Sequence, residues 1–156
     1  EHMVDMGLAI WVAGRMGKQR QNIWYSPMLR EDQQLQDGDV VPGFEDWHII
    51  TTPGHTDRDI SLVNPTEKLI YVADLIVSVK QQLCAPILVC FPDQYKASLA
   101  RLKHYIGYTL LMAHVKPQTL HEAQIDTLIN HAPSSPKTNM TTMSRLIKGK
   151  LAQYLK

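Results

Sequence analysis

One stretch, Trp47 to Asp74 (WHIITTPGHTDRDISLVNPTEKLIYVAD), constrains this chain more than any other. Ile49, Ile50, Thr51 and Thr52 form a β-branched run that suits a buried strand. Pro53-Gly54 breaks that run, since proline lacks an N–H and glycine tolerates positive φ. His55 therefore stands at a strand end, on a loop between rigid elements. Ile60 to Val63 restarts a strand, and Asn64-Pro65-Thr66-Glu67 is a turn cluster. Leu69 to Ala73 is apolar, and Asp74 follows where that strand runs out. A histidine and a carboxylate at the tips of core strands are suited to ligating a metal ion.

The flanking sequence extends this α/β pattern. Asp37-Gly38-Asp39 reads as a turn, with Val40-Val41 as a short strand after it. Ser78 to Gln82 is polar and reads as a loop. Pro92-Asp93 opens a helix with Asp93 as its N-cap, and Tyr95, Leu99, Leu102 and Ile106 make its buried face. Gly107 ends it, and Tyr108 to Met112 reads as a buried strand with His114 just beyond. Pro117 to Ala132 reads as a second helix. Three candidate ligands, His55, Asp74 and His114, thus occupy three strand tips, and strand ends of one sheet converge on a common edge. Taken alone, His114 also reads as an ordinary loop histidine.

The stretch Thr52-Pro53-Gly54-His55-Thr56, followed 19 residues after the histidine by Ala73-Asp74, resembles the second half of the metallo-β-lactamase superfamily. The lead-in Leu35-Gln36-Asp37-Gly38-Asp39, the helix around Tyr95-Lys96-Ala97-Ser98-Leu99 and Met112-Ala113-His114 fall in the order the family uses. The resemblance covers roughly Leu35 to His131. It implies an αββα sandwich of which this chain is the C-terminal half. It also implies zinc, two ions in the family, with Asp74 as the bridging catalytic carboxylate, His55 on one ion and His114 on the other. Asp57 or Asp59 would support His55 by fixing its tautomer; a solvated loop with a local ion pair is the competing reading. The family's His-x-His-x-Asp-His motif has no match here, and His2-Met3-Val4-Asp5 is the nearest approach. Each ion would then have two protein ligands from this chain, where a catalytic zinc takes about three. The sequence is therefore expected to be the back half of a family member.

Composition narrows the remaining classes. The net charge of +1 gives no global drive toward nucleic acid or membranes. No apolar run approaches the length of a membrane span. Cys84 and Cys90 fit no zinc spacing and read as buried thiols, which points to a reducing cytoplasm. Val4 to Gly17 reads as a packing helix and Ile23-Trp24-Tyr25 as a short strand. Residues 1–132 form the expected partial domain, and 133–156 a linker and a basic amphipathic helix. In the tail, Lys137, Arg145, Lys148, Lys150 and Lys156 have no acid among them. A solvated helix accounts for this better than a nucleic-acid face.

Two functions are consistent with these residues. One is a metal-dependent hydrolase of an ester, thioester, lactam or phosphoester, with a small-molecule substrate. The other is a non-catalytic, truncated or degenerate member acting as a structural or assembly domain. In the first case the missing ligands come from an absent segment, from a second chain in a homodimer, or from nowhere; in the second a homodimer would cover an apolar sheet face.

Overall fold

The computed structural model describes residues 32–138, apart from residues 80 and 114. The helices expected near residues 4–17 and 143–155, the strand at 23–25, the His2–Asp5 segment and His114 lie outside the described residues. The chain divides into two compact units, one of Leu35–Thr142 and one of Glu1–Gln34 with Met143–Lys156; the fold below is that of the first.

Its strands are β1 (Val40–Val41), β2 (Phe44–Thr51), β3 (Ile60–Asn64), β4 (Leu69–Tyr71), β5 (Val77–Val79), β6 (Gln82–Cys84), β7 (Thr109–Met112) and β8 (Val115–Thr119). The helices are α1 (Pro92–Arg101), continued by a 3₁₀ turn at Leu102–Tyr105, and α2 (Glu122–Asn130). Six strands form a mixed sheet in the order β1-β2-β3-β4-β7-β8, and β5 pairs with β6 in a separate hairpin. β1 through β4 meander antiparallel, whereas β4 and β7 run parallel. A parallel pair needs a long crossover. Here the β5–β6 hairpin, α1 and the 3₁₀ turn all lie within it.

Cross-strand partners share a face of a sheet. Ile50 pairs with Ser61, Val63 with Ile70, and Ile70 with Leu110. This face packs with Tyr95 and Leu99 of α1 and with Ile125 and Leu128 of α2 in one apolar core. On the opposite face Ile49, Leu62, Tyr71 and Leu111 form a registered row across four strands. The architecture is the α/β half-sandwich expected, one sheet with helices on a single apolar core.

Five local expectations change. Phe91, not Asp93, is the N-cap of α1; Pro92 follows at the first helical position, and Asp93 sits in the first turn. Proline is suited to that position because its missing N–H has no partner there anyway, and the helix dipole favours the acid. Pro117 does not open a helix but lies in β8, the sheet's edge strand, where a missing donor is tolerated. The helix begins instead at Glu122, with the His121 N–H donating to Gln124 Oε1 at 2.9 Å. The polar run Ser78 to Gln82 forms the tip of a hairpin, with Ser78 paired to Leu83 and Gln81 at φ 66° in its turn. Ile106, expected in the core, is 39% exposed because the helix tightens and ends before it. The segment expected as a linker after Ala132 is tied back, Lys137 exchanging two backbone hydrogen bonds with Val89 at 2.8 and 3.0 Å.

Candidate functional site

The TPGHT turn is built around one close approach. Gly54 is buried, at φ 154°, and a Cβ added there would lie 2.5 Å from Tyr95 Cα. Only glycine lets the turn press against the first turn of α1. Ser98, one helical turn on, donates its hydroxyl to the Pro53 carbonyl at 2.7 Å. The turn's mouth is closed by the Thr52 N–H donating to the Asp59 carbonyl at 2.8 Å. Below it the Thr52 and Ser61 hydroxyls share a buried hydrogen bond of 2.9 Å.

His55 leaves this turn half-buried, alongside a strap formed by Leu88 to Phe91. The Cys90 N–H donates to the His55 carbonyl at 3.3 Å, and the Phe91 N–H to the Gly54 carbonyl at 3.0 Å. The ring is held by the same strap, its Nδ1 lying 2.8 Å from the Leu88 carbonyl oxygen. A carbonyl only accepts, so the neutral ring carries its proton on Nδ1 and leaves the Nε2 lone pair open. That tautomer leaves Nε2 able to ligate a metal ion. The support expected from Asp57 or Asp59 comes from Leu88 instead. Asp59 turns to Thr56, accepting from its N–H at 2.6 Å and its hydroxyl at 2.5 Å, and Asp57 is exposed.

Asp74 stands exposed just past β4, in a turn closed by the Leu75 N–H on the Val72 carbonyl at 2.9 Å. Ala73, immediately before it, is held at φ 43°. A side chain larger than alanine's, above all a β-branched one, would raise the strain of that conformation, which gives a physical reason for Gly or Ala before the aspartate. Asp74 shares a cavity of about 70 Å³ with Met112, Ala113 and Val115, the described residues on either side of His114. The structure therefore brings Asp74 to the β7–β8 end of the sheet, while His114 itself lies outside the described residues.

Sequence reasoning missed two supports. Tyr95 is fully buried beneath both loops, its hydroxyl donating to the Leu75 carbonyl at 3.0 Å. From sequence it reads only as one apolar position of a helix face. Asp37 makes a two-point ion pair with Arg101, both contacts at 3.0 Å, and accepts from the Thr51 N–H at 2.6 Å. Arg101 also donates to the Thr51 carbonyl at 3.0 Å, so the end of β2 is clamped to the end of α1. The Arg101 guanidinium, with the Thr51 N–H, lowers the Asp37 carboxyl to about 2.

Donor chemistry and donor count separate at this site. His55 Nε2 and the Asp74 carboxylate are of the right kind for a metal ion, yet among the described residues no three His, Cys, Asp or Glu side chains gather closely enough to hold one. No disulfide joins Cys84 to Cys90. No described helix is long and apolar enough to cross a membrane.

Comparisons with known proteins follow the same outline. The chain is 33% identical over 57 residues to the probable metallo-hydrolase YflN of Bacillus subtilis, a match covering 36% of this chain and 22% of the relative. Among solved structures it is similar to the metallo-β-lactamase family protein TTHA1429 of Thermus thermophilus, with a TM-score of 0.57 and 17% identity over 80% of this chain and 44% of that one. It is also similar to a β-lactamase domain protein of Burkholderia ambifaria, with a TM-score of 0.52 and 21% identity over 68% of this chain and 34% of that one. The chain thus spans less than half the length of each of these relatives. No family model matches it.

Proposed function

We propose, from its similarity to a probable metallo-hydrolase and to metallo-β-lactamase family folds, that this chain is part of a metallo-β-lactamase superfamily protein and carries part of the centre of a metal-dependent hydrolase. In this reading His55, Asp74 and His114 would hold the metal, with zinc as the ion and Asp74 as the shared catalytic carboxylate. Bound zinc supplies Lewis acidity and a water acidic enough to serve as nucleophile near neutral pH. The substrate class is an ester, thioester, lactam or phosphoester.

One observation supports the reading above the rest, the 2.8 Å contact of His55 Nδ1 with the Leu88 carbonyl. It aims the ring and leaves Nε2 as the open donor, the arrangement in which metal-binding histidines are commonly held. The chain's own part is to hold His55 in one tautomer on the strap and to hold Asp74 on a strained turn. Further ligands come from outside the described residues, a second copy of the chain being one source.

The test is metal content by elemental analysis after zinc loading and desalting, for the wild type and for His55→Ala and Asp74→Ala. Stoichiometric zinc that each substitution removes is the expected result. Zinc absent from the wild type, or kept by both variants, overturns the assignment and favours a structural or assembly domain.

A further inference from the structure

We infer that Tyr95 is a positioning residue, a brace that sets the separation between the His55 turn and the Asp74 turn. The brace has two ends. At one, the backbone of Tyr95 is packed so closely under Gly54 that a methyl group on Gly54 would meet Tyr95 Cα at 2.5 Å and Cβ at 2.6 Å. At the other, the phenol reaches the far turn and donates to the Leu75 carbonyl at 3.0 Å. The two candidate ligands are the next residues along the chain from these contacts, His55 after Gly54 and Asp74 before Leu75. The span between the two turns is therefore one tyrosine side chain from Cα to hydroxyl.

The side chain is fixed along its whole length. Tyr95 is 0% exposed and packs in the main apolar core, which leaves its ring no alternative rotamer without opening a cavity. Burial pushes the phenol well above its usual range, so it stays protonated and remains a donor at all working pH values. The Leu75 carbonyl faces inward beside a fully buried side chain, where losing its partner leaves a desolvated acceptor. A phenylalanine would fill the same core volume but would leave the Asp74 turn unheld. This role takes its functional meaning from the reading of His55 and Asp74 as ligands, but the brace itself is measurable without any metal.

The experiment is amide hydrogen exchange by NMR on the metal-free wild type and Tyr95→Phe, read at three places. The Leu75 amide, which closes the Asp74 turn on Val72, reports the far end. The Phe91 amide, bonded to the Gly54 carbonyl, reports the near end, and Leu99 in α1 reports global stability. The expected result is exchange at Leu75 at least tenfold faster, with Phe91 and Leu99 unchanged. No change at Leu75, or the same acceleration at all three amides, overturns the brace, because the hydroxyl would then do nothing or only contribute to overall stability. Should Tyr95→Phe be too unstable to read, Ser98→Ala serves as a second variant. It removes the helix's other bond to the TPGHT turn and is expected to speed Phe91 while sparing Leu75; a faster Leu75 would refute two separate ends. Zinc loading is scored independently, so a chain that binds no zinc sinks the hydrolase reading without deciding the brace.

Discussion

Replacing Gly54 by alanine puts a methyl group 2.5 Å from Tyr95 Cα, 2.6 Å from its Cβ and 2.9 Å from its N. Ordinary carbon–carbon contact is about 3.5–4.0 Å, so the turn and α1 must separate by roughly 1 Å. These Tyr95 atoms are backbone and Cβ, which no rotamer change can move aside. Overpacking of this kind costs about 1–3 kcal/mol. A φ of 154° adds backbone strain that alanine feels and glycine does not. Together these give a loss of about 3 kcal/mol, or on the order of 10 °C in melting temperature for a domain of this size. Gly43→Ala is the internal control, since that residue also has positive φ, 80°, but nothing lies within 4 Å of its added Cβ. It should lose only about 1 kcal/mol, the strain alone. Urea and thermal unfolding of the two variants in parallel isolate the contact. If Gly54→Ala is no more destabilising than Gly43→Ala, the packing argument fails, and the brace through Tyr95 loses its near end.

Two further predictions concern the supports around the site. The Asp37 carboxyl is lowered from 3.8 to about 2 by Arg101 and the Thr51 N–H, so its stabilisation is complete above about pH 4 and is lost as pH falls through about 2. Asp37 is 47% exposed, which limits the effect to about 1 kcal/mol. Arg101→Ala should flatten that part of the urea-midpoint profile between pH 2 and 5, and an unchanged slope would refute the pairing. Thr52→Val leaves the buried Ser61 hydroxyl without its 2.9 Å partner and should cost about 1–2 kcal/mol. The double variant Thr52→Val with Ser61→Ala should recover most of that loss, and a double variant no better than the single one would count against the bond.

How far residues alone specified this protein can be traced element by element. β2, β3 and β4 were legible because their apolar runs are bounded by Pro53-Gly54 and Asn64-Pro65, breakers that act locally through φ and a missing donor. The placing of His55 and Asp74 beyond strand ends followed from the same local rules. Pro117 was misread because a proline opens a helix or sits on a sheet edge equally well, and only the pairing of β8 with β7 chooses between them. The β5–β6 hairpin was missed because Ser78 to Gln82 carries polar side chains and shows no run for a strand.

The contacts that orient the site were beyond sequence. Leu88 is 33 residues from the histidine it aims, and it does so through a backbone carbonyl that every residue type possesses. Arg101 meets Asp37 across 64 positions. Tyr95 reaches Leu75 across 20, from a place on a helix that reads simply as core. Local sequence determined where the turns lie and which residues they carry, because turn and strand preferences depend on a few neighbouring dihedrals. Tertiary packing alone decided which way His55 points and how far it stands from Asp74, because those depend on groups that only the folded chain brings together.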